Sequence, residues 1–120
     1  MAAPDYDAAC LFCRIIAGEI PSTKLLETPD AVVIADLNPQ APVHGLAIPR
    51  RHIPSAAQLS AADAATLLAV IDAANTVARD KGVAETGYRL VMNTGADAGQ
   101  SVLHLHVHIL GGRPLGWPPG

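Results

Sequence analysis

The residues best able to do chemistry lie together in His104-Leu105-His106-Val107-His108. On a strand, side chains alternate with period two. The three imidazoles would then share one face, and Leu103, Leu105, Val107 and Ile109 would bury the other. Three of the five histidines in the chain fall in this one row. Packing gains little from crowding polar rings that titrate near neutral pH. Two chemistries suit such a row. One is a metal ion held by all three rings, with a labile water. The other is nucleotidyl chemistry, with one imidazole as nucleophile and its neighbours on phosphate. The preceding segment, Asn93-Thr94-Gly95-Ala96-Asp97-Ala98-Gly99-Gln100-Ser101, favours the second. Backbone N–H groups and a serine hydroxyl in such a loop can hold phosphate oxygens. Taken alone, it reads equally as a flexible hairpin connection.

A second group is Cys10-Leu11-Phe12-Cys13. Two cysteines are too few for a disulfide framework, and their spacing favours metal binding or redox chemistry. A thioredoxin-like redox motif needs a preceding strand, whereas this one opens an apolar segment, so redox is the weaker reading. The alternative is a pair of buried, inert thiols.

The elements that must position these groups follow from pattern. Cys10 to Ala17 carries a helical stripe of Leu11, Phe12, Ile15 and Ile16, closed by Gly18. Lys24 to Glu27 and Ala31 to Leu37 read as strands around a Thr28-Pro29-Asp30 turn, and Gly45 to Pro49 as a third. Between them Asn38-Pro39-Gln40-Ala41-Pro42 reads as a loop. Ser60 and Asp63 suggest a capping box opening a long helix, Ala61 to Lys81, with Gly82 as its stop. Leu67, Leu68, Ile71, Ala74, Val77 and Ala78 form its expected apolar face. Tyr88 to Asn93 and Val102 to Leu110 are two further strands, followed by an irregular tail, Gly111 to Gly120. The expected class is α+β: about five largely antiparallel strands with one short N-terminal and one long helix.

Composition bounds the function. The 120 residues fit a single domain, 1–120, and 50% hydrophobic against 16% charged residues argues against disorder. A net charge of −3 excludes a protein whose affinity comes from blanketing nucleic-acid phosphates. No apolar run approaches the roughly 20 residues needed to span a bilayer, so no membrane partner is expected. Met1 to Asp7 lacks the basic and apolar regions of a signal peptide, which points to the cytoplasm.

His104-Leu105-His106-Val107-His108-Ile109-Leu110 matches the histidine-triad signature, His-φ-His-φ-His-φ-φ with φ apolar, at every position. The sequence resembles the Hint branch of the histidine-triad (HIT) superfamily, the purine nucleoside phosphoramidases. The likeness covers nearly the whole chain. It includes Phe12 to Ile16, Gly18-Glu19-Ile20-Pro21, Asp36 to Pro42, His44, Ile48-Pro49-Arg50-Arg51-His52 and Gly87-Tyr88-Arg89. It continues through Asn93, Gly99-Gln100-Ser101, Leu110-Gly111-Gly112-Arg113 and Trp117-Pro118-Pro119-Gly120.

The resemblance implies that His106 attacks the α-phosphorus of a nucleoside 5′-phosphoramidate, giving a nucleotidyl-histidine that water hydrolyses. His104 would orient His106 through its carbonyl, His108 would contact the phosphate or bridging atom, and His44 would support the row. Ser101 matches a serine near the leaving amine. Asn93, Gly99 and Gln100 would lie along the phosphate, and Asp36 would accept the ribose hydroxyls. Leu11, Phe12, Ile15 and Leu37 would line the purine pocket, although core roles for these residues and a turn role for Asp36 fit equally. Bacterial and transferase-like relatives with this Cys-x-x-Cys often bind zinc. The matching ligands here are Cys10, Cys13, His52 and His104, a structural set. The resemblance further implies a homodimer acting on purine nucleotides, with the tail reaching the partner's active site. Hydrolysis or transfer on dinucleoside polyphosphates and a non-catalytic nucleotide-binding module are the alternatives. The Trp117-to-Gly120 tail favours the phosphoramidase branch, and the intact triad with Ser101 disfavours a non-catalytic module.

Overall fold

Ala31-Val32-Val33-Ile34-Ala35 is apolar at every position, as a strand covered on both faces must be. The computed structural model describes residues 6–120, so most of the segment read as lacking a leader lies outside the described residues. The strands are β1 (Lys24–Glu27), β2 (Ala31–Ala35), β3 (Val43–Pro49), β4 (Tyr88–Val91) and β5 (Val107–Gly111). They form one sheet in the order β1-β2-β3-β5-β4. Every neighbouring pair is antiparallel. The helices are α1 (Leu11–Ile16) and α2 (Ala64–Asp80).

The pleat divides the core in two. Ala31, Val33, Ala47, Val107 and Ile109 pack under Val70, Ala73, Ala74, Val77 and Ala78 of α2. Val32, Ile34, Leu46 and Ile48 point the other way and meet Phe12, Cys13 and Ile15 of α1. Of the expected face of α2, Ala74, Val77 and Ala78 are buried, joined by Val70 and Ala73. Leu67 and Ile71 are only half-buried, and Leu68 is 68% exposed. Small side chains let the helix approach the sheet closely, so alanines and valines take the inner positions and the larger leucine is left outside.

The last strand is also shorter than expected. Residues 102–106 are irregular and only Val107–Gly111 pairs in the sheet, so His108 alone of the three histidines lies on a strand. Leu105, Val107 and Ile109 are buried as expected, but Leu103 is 67% exposed because it precedes the ladder. Other boundaries shift modestly: β2 ends at Ala35, β3 starts at Val43, and β4 ends at Val91.

The Ser60–Asp63 capping box is present. The Ser60 N–H donates to Asp63 Oδ2 at 3.0 Å, and Asp63 Oδ1 takes an ion pair from Arg51 Nη1 at 2.7 Å. A 3₁₀ turn, Ala61–Asp63, precedes α2 proper. At the far end, Gly82 adopts φ +76°, the left-handed conformation that stops the helix. The bond from Ser60, followed by that from Arg51, holds the Asp63 carboxyl below its ordinary range. A depressed folded-state pKa contributes stability above the ordinary carboxylate value and loses it as pH falls through the lowered one. Asp63→Ala is thus expected to lower the melting temperature at pH 7, with the gap to wild type closing in acid, below the lowered carboxyl range. Thermal melts at pH 7 and in acid decide it.

By length and composition, Ala61–Asp80 is apolar enough to cross a membrane, with a mean hydropathy of 1.3. This corrects the expectation that no segment approaches such a length. Its buried stripe lies against the sheet, as in the core helix of a globular domain.

Candidate active site and metal cluster

Cys10 and Cys13 meet because Cys10 is the N-cap of α1, and the Cys13 N–H donates to its sulfur at 3.4 Å. His104 and His52 approach from opposite chain segments. Cys10 Sγ lies 3.2 Å from His104 Nδ1, and Cys13 Sγ lies 3.4 Å from His52 Nδ1 and 3.5 Å from His104 Nδ1. The two Nδ1 atoms are 3.2 Å apart. A tetrahedral ion at about 2.3 Å from sulfur and 2.0 Å from nitrogen sets such edges at roughly 3.3–3.6 Å, so the donors fit one. The outer nitrogens are also placed for ligation: His104 Nε2 lies 2.8 Å from the Pro49 carbonyl, and His52 Nε2 lies 3.9 Å from Asp7 Oδ2. Donating its proton outward to Pro49 leaves the His104 Nδ1 lone pair facing inward, while the Asp7 carboxylate lies near the outer nitrogen of His52 beyond hydrogen-bond distance. Burial pushes the Cys13 thiol up to about 11 and the His104 imidazole down to about 4. The four residues are close enough to hold a metal ion.

His104 also reaches the next histidine. His106 Nδ1 donates to the His104 carbonyl at 2.7 Å, which assigns the ring proton to Nδ1 and leaves the Nε2 lone pair available. The rings continue as a row: His106 and His108 centroids are 5.1 Å apart, and His108 and His44 are 5.2 Å apart. Phe12 packs edge-on against His106 at 5.0 Å. The expected single face for the imidazoles is thus obtained, although most of the row precedes the strand.

The second pair of histidines has the opposite polarity. The Gln40 N–H donates to His44 Nδ1 at 3.0 Å, so the His44 proton sits on Nε2. That nitrogen is 2.9 Å from His108 Nδ1 and 3.4 Å from Asp36 Oδ2. His108 Nδ1 therefore accepts, and its own proton is on Nε2. Asp36, His44 and His108 have ligating atoms close enough to be considered for a metal. A metal on His44 Nε2 would require both ring lone pairs of His44 at once, an imidazolate, so the trio is a hydrogen-bond relay. Burial, followed by the neighbouring His106 and His44, lowers the His108 pKa against the opposing pull of Asp36.

A cavity of about 270 Å³ collects these groups. His106, His108, Asp36, Asn93, Gly99 and Ser101 supply its polar lining, and Leu11, Phe12 and Ile15 its apolar wall. Leu37 reaches only the rim, being 98% exposed. Asp36 is also a turn residue, since Oδ1 accepts from the Asn38 N–H at 2.8 Å. Gln100 is the predicted pocket residue not found in the lining. Its Oε1 accepts from the Gly95 N–H at 3.0 Å, while Nε2 donates to the carbonyls of Pro54 and Val102 at 2.8 and 3.1 Å. It fastens the glycine loop to the segment carrying His52. Ile34 and Leu46 were missed as lining. They pair across β2 and β3, and Leu46 is opposite His108, so the register alone carries that signal. A larger cleft of about 380 Å³ adjoins Cys13, Arg50 and Arg51. It lies away from His106, and its arginines pair with Glu27 and Asp63.

The HIT domain profile matches residues 17–115. The chain belongs to the HIT family. It is 44% identical over 106 residues to the purine nucleoside phosphoramidase of Escherichia coli, covering 88% of this chain and 89% of that protein. It is 46% identical over 110 residues to an uncharacterized HIT-like protein of Synechocystis, covering 92% and 96%. A HIT family hydrolase from Legionella pneumophila superposes with a TM-score of 0.91 at 43% identity, covering 92% of this chain and 99% of the other. The chain is a nucleotide hydrolase of the HIT family.

Proposed function

We propose that the protein hydrolyses purine nucleoside 5′-phosphoramidates and related adenylates through a nucleotidyl-histidine. The observation that carries this is the His106 ring, whose Nδ1 is held by the His104 carbonyl at 2.7 Å while its free Nε2 belongs to a cavity-lining residue. The Nε2 lone pair attacks the α-phosphorus and the phosphorus–nitrogen bond breaks. The departing amine takes a proton from Ser101 or from His108 Nε2. Water then attacks the phosphorus and gives its proton back to the group that protonated the amine. The bond to His106 breaks, and the nucleoside monophosphate leaves. Asn93 and the backbone at Gly99 hold the phosphate oxygens, and Asp36 accepts the ribose hydroxyls. The wall of Leu11, Phe12 and Ile15, with Leu37 at its rim, suits a flat purine.

Zinc at Cys10, Cys13, His52 and His104 is read as structural: when bound, it supplies a cross-link between α1 and the segment before β5. The functional unit is read as a cytoplasmic homodimer. Trp117, 83% exposed on the single chain, is available to a partner. Incubation with adenosine 5′-phosphoramidate, followed by phosphorus NMR, tests the reaction. Tight AMP binding without any AMP release would leave a binding module instead.

A further inference from the structure

Gln40 is held at both ends. Its N–H fixes His44, and its carbonyl accepts two bonds from Arg113, from Nε at 3.2 Å and Nη2 at 2.9 Å. The remaining Nη1 donates to the Pro114 carbonyl at 3.0 Å. Arg14, Arg50 and Arg51 instead pair with the carboxylates of Glu19, Glu27 and Asp63. Arg113 reaches Gln40 because the chain leaves β5 through Gly112 at φ +92°, where a Cβ would stand only 2.8 Å from Pro42. That contact seats the post-strand segment against the 38–42 loop.

We infer that Arg113 is a positioning residue for the histidine relay. By fixing the Gln40 carbonyl it keeps the Gln40 N–H on His44 Nδ1, holds His44 in its Nε2–H form, and so keeps the His108 proton on Nε2. This deepens the phosphoramidase reading and rests on it for the role of His108. Released from the clamp, the loop uncovers His44 Nδ1. The ring can then switch tautomer, and a switched ring takes the proton away from His108 Nε2. The charged and titratable groups around His44 are Asp36 beyond β2, His108 on β5 with His106 behind it, and Lys81 after α2, which lines the same small cavity. The Gln40 N–H is the contact on Nδ1 itself, and it keeps the neutral ring's proton off that nitrogen.

The test is long-range nitrogen–proton NMR of the histidine rings across pH in wild type, Arg113→Ala, Arg113→Gln and Arg113→Lys, alongside steady-state turnover of adenosine 5′-phosphoramidate. Wild type should show neutral His44 and His108, each protonated on Nε2. Arg113→Ala should lose that single tautomer, with Nδ1-protonated forms of His44 and His108 appearing. Its kcat should fall about tenfold, a fraction of the roughly 10²–10⁴-fold a positioned proton donor supplies. KM should change by less than about twofold, because the clamp touches no substrate group. Arg113→Lys should restore part of both signals, and Arg113→Gln, close in length, provides a second disruption should alanine unfold the tail. Wild-type tautomers retained in both Arg113→Ala and Arg113→Gln would overturn the inference, as would a wild-type His44 protonated on Nδ1. Absence of turnover in wild type sinks the phosphoramidase reading instead, and the ring spectra still decide the clamp.

Discussion

Replacing His106 with alanine is expected to abolish release of AMP from adenosine 5′-phosphoramidate, a fall of roughly 10⁴-fold or more. The magnitude follows from the kind of group removed. A residue that only orients substrate leaves a slower version of the same pathway, whereas loss of the nucleophile leaves none. The fold should survive, because Phe12 and the neighbouring histidines still close the row and His106 belongs to no strand ladder. Nucleotide affinity should persist through the remaining lining. Phosphorus NMR for turnover and calorimetry for AMP binding separate the two. Residual turnover near wild type would remove His106 from the chemistry. Mass spectrometry offers a direct complement: a nucleotidylated chain trapped by rapid acid quench in wild type and missing from the variant.

The second large effect concerns the cysteine–histidine cluster. Freshly purified protein is expected to contain about one zinc per chain, and chelation should lower its melting temperature by on the order of 10 °C or more. An ion that binds the folded chain at about a thousand times its Kd adds about 4 kcal/mol, a large part of a small domain's stability. Cys10→Ser and Cys13→Ser should reproduce the shift without chelator. Turnover at a temperature where the stripped protein stays folded should decline only partly, since the backbone carbonyl of His104 still holds His106. Elemental analysis with no zinc would overturn the assignment. Immediate, complete loss of turnover in a still-folded chain would make the ion part of the chemistry.

The grouping of the histidines and of the cysteines was legible in the sequence because spacing constrains it. Alternation placed three imidazoles in one row whether or not the backbone joined the sheet, so the row survived a shorter β5. Cys10 and Cys13 were legible as a pair, and the resemblance supplied His52 and His104 as their companions. The proton positions were not legible. They depend on the Gln40 N–H and the His104 carbonyl, backbone groups that every residue type carries. Gln100 shows the same limit from the other side: its residue type suggested a ligand contact, yet nearby backbone groups satisfy its amide. The buried face of α2 was legible only in part: Ala74, Val77 and Ala78 lie inside as expected, but hydropathy rewards Leu68, whereas close approach to a sheet rewards Val70 and Ala73. Strand ends were displaced by a few residues, since pairing partners decide where a ladder stops.

The sheet order carries a consequence for synthesis. β5 is the last of the five strands to be made, yet it occupies an inner position between β3 and β4. Until Val107–Gly111 emerges, β3 presents a bare edge rich in Leu46, Ala47 and Ile48, and β4 has no neighbour to pair with. The middle of the molecule therefore closes late, through contacts between segments far apart in the chain, the kind of pairing that slows folding. In that interval an apolar strand edge is open to other chains. Arrival of the histidine strand is thus the event that both completes the fold and shields it from aggregation, so a ribosome stalled before residue 107 would release a sticky product with no active site.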